Sequence, residues 1–191
     1  MLLVLAAAGG YVLVTRLNLN PNRTVGEVID TQDGVAVYYN GGVNNNSGRN
    51  LTEDGYNLGL RYQCVEFVKR YYWEHFHHRM PDTLGHAKDF FDPAIADGGL
   101  NAKRHLVQFQ NGSTTPPEAG DIVVFDRWLF NPYGHVAIVA AVDGASIEII
   151  QQNPGPFGSS RERLALAHAN GHWTVASRRL LGWLRPPPAQ F

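Results

Sequence analysis

The sequence predicts an α+β domain in which one early helix packs on an antiparallel β-sheet. Cys64, Phe67, Val68 and Tyr71 follow the i, i+3, i+4, i+7 spacing of a buried helical face. Gly134–Val142 and Ala145–Asn153 are β-rich runs that meet around Asp143-Gly144, a strong hairpin signal. No strand–helix–strand alternation follows, which argues against a parallel sheet. A chain of 191 residues suits one domain with a sizeable core.

Taken in order, Met1 to Val14 is almost wholly apolar. That length suits a signal-peptide core better than a bilayer span of about 20 residues. Residues 1–17 are therefore expected to form an apolar leader, a signal peptide or an anchor, with residues 1–14 as a possible membrane tether. An exported or membrane-anchored protein follows, the alternative being a cytoplasmic protein with an apolar first element. Residues 18–34 read as a proline-broken linker and a first strand, Val25–Asp30, which turns through Thr31-Gln32-Asp33-Gly34 into a second strand, Val35–Tyr39. Gly41–Asn50 is a Gly/Asn/Ser loop with little order of its own.

The Cys64 helix is expected to run to about His78, stopped by Pro81. Gly85–Phe91 suits a shorter helix, Asp97–Lys103 is turn-rich and Leu106–Gln110 suits a strand. Gly120–Phe125 reads as a buried strand, Arg161–Trp173 is ambiguous, and Arg179–Arg185 closes the fold before Pro186-Pro187-Pro188. The domain proper thus spans 35–185, with a Pro-rich tail at 186–191.

Composition removes several function classes. A net charge of −1 with scattered Lys and Arg gives nucleic acid no basic field to bind. A single cysteine cannot form an internal disulfide. Neither a dinucleotide nor a Walker-type loop occurs, and His75, His77 and His78 lack companions at ligand spacing, so no cofactor and no metal are expected.

The chemistry centres on Cys64. In the first turn of a helix it meets the positive end of the dipole, which is expected to lower its pKa. The candidate base is His135, which opens a strand whose same-face neighbours Ala137, Val139 and Ala141 are small enough to admit a closely packed helix. A two-residue hairpin turn would place Gln152 opposite His135. A three-residue loop with a bulge would place Gln151 or Asn153 on its face. Ile147 and Ile149 make the odd face the inward one, so Gln151 is taken as the residue that orients the imidazole.

These residues resemble a known family. Gln63-Cys64-Val65-Glu66-Phe67, Pro117–Phe125, Gly134–Val139 and Gln151-Gln152-Asn153 look like the signature blocks of CHAP domains, the cysteine, histidine-dependent amidohydrolases/peptidases of the papain-like superfamily. Within that group, Gly85–Phe91 and Gly182-Trp183-Leu184-Arg185 add a likeness to the amidase domains of glutathionylspermidine and trypanothione synthetases. The resemblance implies a papain-like (NlpC/P60-type) fold, a thiol nucleophile at Cys64, a general base at His135 and a polar third member, Gln151, where many members carry Glu. It implies oxyanion or substrate contacts from Gln63, Asn153 and Lys69. Lys69 stands where polyamine-conjugate amidases carry Arg. The expected partner is a peptide or amide substrate, either peptidoglycan peptide or a thiol–polyamine conjugate. A catalytically weak domain that binds peptide or glycan is the alternative of another class.

Overall fold

The structure is a computed structural model that describes residues 10–11, 14–129 and 131–188. Two hairpins precede the helix: β1 (Val28–Gln32) pairs with β2 (Val35–Tyr38), and β3 (Arg49–Leu51) with β4 (Asn57–Leu60). The helix, α1, spans Cys64–Phe76, and a 3₁₀ turn covers Ala87–Phe90. Eight further strands follow: β5 (Gly99–Asn101), β6 (Leu106–Gln110), β7 (Ile122–Phe125), β8 (His135–Val142), β9 (Ser146–Ile150), β10 (Arg161–Ala169), β11 (His172–Val175) and β12 (Leu180–Arg185). They form one sheet in the order β11-β10-β9-β8-β7-β12-β6-β5, antiparallel at every pairing. The fold class is α+β.

The strands bury both faces. Ile122, Val124, Val136, Ile138, Ile150 and Leu184 join Cys64, Phe67, Val68, Tyr71 and Tyr72 of α1 in one core. The opposite face of the same strands, with Val123, Phe125, Ala137, Val139, Ile147, Ile149 and Trp183, shares a second core with Leu166 of β10 and Val175 of β11. Main-chain bonds link Gly112 and Ser113, just past β6, to Trp173 in β11. The sheet therefore curls toward closure around this second core.

That alternation corrects one expectation. The helix packs on the even face of β8, on Val136 and Ile138, and not on the small residues. Ala137 and Val139 face the second core, and a bulge between Val139 and Ala141 leaves Ala141 exposed. Three other expectations change. α1 stops at Phe76 because His77 adopts a left-handed conformation (φ 52°). The loop expected at 41–50 runs into β3, which pairs with β4. The ambiguous stretch is the β10–β11 hairpin, turned by Asn170-Gly171 with both φ positive. Much of the expected leader lies outside the described residues, as do 189–191 of the tail. Among the described residues no helix is long and apolar enough to cross a membrane.

Gly182, in the middle of β12, is fixed by its neighbours. A Cβ there would collide with the main-chain oxygen of Phe109 on β6 and lie 2.7 Å from the Phe91 ring. Backbone on one side and a packed ring on the other leave no inexpensive relief. Gly182→Ala is expected to cost about 1–3 kcal/mol, the range for overpacking a tight interior. Urea unfolding measures it, and an unchanged midpoint would contradict this packing.

Candidate active site

Cys64 is the first residue of α1, and the chain turns sharply to place it there. Tyr62 takes a positive φ of 63°, and Gln63 is extended at the N-cap without a side-chain cap bond. Gly59 on β4 lets that strand lie against the first helical turn, since a Cβ at 59 would sit 3.2 Å from the Cα of Glu66. The thiol is buried, and burial pushes its pKa up to about 11. The main-chain N–H groups of Val136, Val65 and Cys64 itself pull the other way, with smaller effect. The expected lowering by the helix end is thus outweighed by desolvation.

His135 begins β8 immediately after Gly134, whose φ is 76°. A side chain at 134 would meet the Phe125 carbonyl at 2.6 Å and the Lys88 Cβ at 2.8 Å, so only glycine lets the loop enter the strand here. Three residues, 143–145, separate β8 from β9, and Ile138 pairs with Ile150. That register puts Gln151 on the face of His135, and the ring Nε2 lies 2.9 Å from Gln151 Oε1.

The amide's orientation is set by its other end. Gln151 Nε2 donates to the Ser159 carbonyl at 3.1 Å, and a carbonyl can only accept. Oε1 therefore faces the imidazole and accepts from Nε2–H. In the neutral ring the basic lone pair is then on Nδ1. Burial lowers the His135 pKa to about 4, against the raising effect of the Gln151 bond and with a further lowering from the Arg179 charge.

Cys64 and His135 line one cleft of about 440 Å³, together with Gln63, Tyr133 and Asn153. His135, Asn153 and Val43 also border a second cavity of about 640 Å³, whose wall includes Gln151, Trp128, Glu162 and Arg179. The imidazole thus stands between the two.

Of the remaining candidates, Gln63 and Asn153 line the cleft with their amide hydrogens engaged, and Lys69 lies elsewhere. Gln63 Nε2 donates to the carbonyls of Val43 (3.1 Å) and Asn45 (2.8 Å), so both amide hydrogens are occupied and neither is left for an oxyanion. Asn153, at φ 60°, donates from Nδ2 to Gln63 Oε1 (2.7 Å) and the Val43 carbonyl (2.9 Å), and its Oδ1 has no partner among the described residues. Both amides brace the 43–45 loop. Lys69 does not line the cleft. Its ammonium is buried, bonds the carbonyls of Asn57 and, at 3.5 Å, Thr83, and lies 4.9 Å from the Tyr56 ring centre. Desolvation lowers its pKa to about 8.

One cluster gives Glu66 and Gln152 a structural role that their place in the signature blocks does not reveal. Glu66, buried on α1, accepts from Arg70 Nε (2.7 Å), Asn50 Nδ2 (2.8 Å) and Gln152 Nε2 (2.8 Å). Gln152 Nε2 also bonds the Gln63 carbonyl (3.0 Å), its Oε1 accepts from the Tyr38 N–H (2.7 Å), and Arg70 reaches the Ala36 carbonyl (2.7 Å). The network ties the helix N-terminus to the end of β9, next to Gln151. Its one sequence trace is an i, i+4 Glu–Arg pair inside an otherwise apolar helix.

Comparison with known proteins places the chain. The family model of the CHAP domain matches residues 53–153. The bifunctional glutathionylspermidine synthetase/amidase of Escherichia coli (strain K12) is 31% identical over 147 residues, covering 71% of this chain and 23% of that protein. The trypanothione synthetase of Crithidia fasciculata is 27% identical over 132 residues, covering 68% and 20%. The chain therefore spans less than a quarter of these curated relatives. A crystal structure described as Ly7917 with the hydrolyzing product of MDP is 24% identical, with a TM-score of 0.43 over 66% of this chain and 55% of that one.

Removing the Glu66 carboxylate would leave Arg70 charged and buried without its partner. Glu66→Ala is expected to cost about 3–5 kcal/mol, and Glu66→Gln less, since an acceptor oxygen remains. Denaturant unfolding of the two variants reads the difference, and wild-type stability in Glu66→Ala would remove the anchoring role.

Proposed function

This chain belongs to the CHAP domain family, and we propose that it hydrolyses an amide bond through a thiol acyl-enzyme formed on Cys64. The observation that carries the reading is that His135, held through Nε2 by Gln151 at 2.9 Å, lines one cleft with Cys64. The Gln151 bond leaves Nδ1 as the basic nitrogen for the thiol proton. A thiol at a helix N-terminus and an imidazole opening an antiparallel strand also support the papain-like (NlpC/P60-type) arrangement.

The directions of the two pKa shifts favour a neutral resting pair, thiol and imidazole, over a preformed thiolate–imidazolium. In this mechanism Nδ1 takes the proton as the sulfur attacks the substrate carbonyl. The imidazolium then protonates the departing amine, and water, activated by the same nitrogen, releases the acid from the thioester. With Gln63 and Asn153 occupied, the oxyanion falls to the Cys64 N–H at the start of α1. Gln151 orients the ring without offering a charge to stabilise its protonated form.

For the substrate we propose a peptidoglycan-type peptide amide, a reading supported by the apolar leader and by the common role of CHAP domains. A glutathionylspermidine-type amide is the second reading, favoured by the curated relatives. Incubating the protein with muropeptides and with glutathionylspermidine, and identifying products by mass spectrometry, separates the two. Cys64→Ala is expected to abolish turnover with the fold retained. Wild-type rates in that variant would sink the assignment, and a wild-type protein inert toward both substrates and toward iodoacetamide would point to a binding module.

The pH dependence tests the neutral pair. A base held at about 4 remains unprotonated above that value, so the acid limb of activity should fall there and not near the ordinary histidine value of about 6.5. Gln151→Glu places a carboxylate on Nε2–H and should move the limb upward while speeding alkylation of Cys64 by iodoacetamide in mild acid. An unshifted limb in that variant would argue against the orienting role of residue 151.

A further inference from the structure

The cleft on the Cys64 side of His135 is one-signed. Its charged and titratable lining residues are Arg16, Arg49, His86, Tyr133 and the Cys64–His135 pair, and no Asp or Glu lines it among the described residues. Arg16 is exposed and has no hydrogen bond or ion pair among the described residues, and its backbone rests on Gly42 beside the 43–45 loop. Arg49, also exposed, donates from Nη1 to Asn57 Oδ1 at 3.0 Å, which fixes the guanidinium and leaves its other hydrogens available.

Two more cations stand behind the wall formed by residues 83–87. Lys69 and Arg104 are both buried, and both bond main-chain carbonyls: Lys69 those of Asn57 and Thr83, Arg104 those of Asp82 (2.8 Å) and Leu84 (3.2 Å). Asp82 and Asp89 offset part of this charge from the rear, with their carboxylates bonded to the N–H groups of Leu84 and His86. Two further acids stand outside the cleft: Glu66, buried beneath it, is paired with Arg70, and Glu162 lines the other cavity, beyond the imidazole.

We propose that the Cys64 cleft selects a substrate carrying a carboxylate, which pairs with the guanidinium groups of Arg16 and Arg49. Planar forks suit a carboxylate bidentately, and a low-dielectric cleft of one sign raises the local concentration of the opposite charge by tenfold or more. The proposal rests on Cys64 being the nucleophile, and it names the substrate class for that site: an anionic peptide or amino-acid amide.

Alkylation tests this without a known substrate. Iodoacetate and iodoacetamide form the same S–CH₂ bond and release the same iodide, and differ chiefly in charge. Their second-order rates on the full chain are compared with those on free cysteine at the same pH and low ionic strength. The iodoacetate-to-iodoacetamide ratio should exceed that of free cysteine by about tenfold and shrink as salt rises. In the Arg16→Gln, Arg49→Gln double variant it should fall to the free-cysteine value. Arg49→Glu, which reverses one charge, should take it lower than Arg49→Gln does. A wild-type ratio equal to that of free cysteine overturns the proposal, as does a high ratio that persists in the double variant. If neither reagent alkylates Cys64, the nucleophile reading fails and this one falls with it, a result distinct from ready alkylation without charge preference.

Discussion

The buried carboxylate of Glu66 is the constraint on which the site depends. A carboxylate at that depth is tolerable only when its oxygens are fully bonded, and here Arg70, Asn50 and Gln152 supply the donors. Because those donors come from α1, β3 and the second residue past β9, satisfying one charge fixes three parts of the chain at once. Gln152 carries the constraint into the chemistry. One neighbour in sequence is Gln151, which holds the imidazole, and its own side chain holds the carbonyl of Gln63, the residue before the thiol. The relative placement of Cys64 and His135 is therefore set by polar bonds under the cleft as well as by the apolar contact of α1 with Val136 and Ile138.

Desolvation decides the charge state of the pair. The helix N-terminus and three main-chain N–H groups favour a thiolate, yet burial of the sulfur outweighs them. The imidazole is biased the same way, toward its neutral form, because its partner is an amide. Two groups that each resist charging do not form an ion pair at rest. In the proposed mechanism proton transfer is then concerted with attack, and the orienting amide contributes geometry in place of charge. A carboxylate at position 151 would alter both properties together, so under the proposed mechanism this single residue sets the resting charge state of the pair.

Much of this was legible in the sequence, where periodicity and turn chemistry are strong. The helix over Cys64, the β8–β9 hairpin and the placing of Gln151 on the face of His135 follow from spacing, three loop residues and strand parity. The β10–β11 hairpin was equally encoded, by Asn170-Gly171, but its exposed and alternating flanks hid the turn signal. Strands β3 and β5 were not legible because three residues carry no period. Lys69 lies away from the cleft, and the Gln63 amide, though at the cleft, is turned to the 43–45 loop, for another reason. A residue beside a nucleophile in sequence is presumed to face the substrate, whereas a helix only partly wrapped by its sheet must also bury its other sides. Lys69 points back to β4, and Gln63 closes the floor of the cleft.

The side-chain amides around the thiol explain why so little of the site is free to act. The 43–45 loop turns its carbonyls inward, and a buried carbonyl demands a donor. Gln63 and Asn153 provide those donors, and in doing so lose any hydrogen that could reach a substrate oxygen. For the proposed oxyanion there remains the main-chain N–H at the first turn of α1, whose position is set by Gln152 holding the preceding carbonyl. A donor fixed in this way needs no reorganisation when charge develops on the substrate oxygen, which is the condition under which a hydrogen bond contributes most to catalysis. Under the proposed mechanism the amides act on the oxyanion only through the backbone that they immobilise.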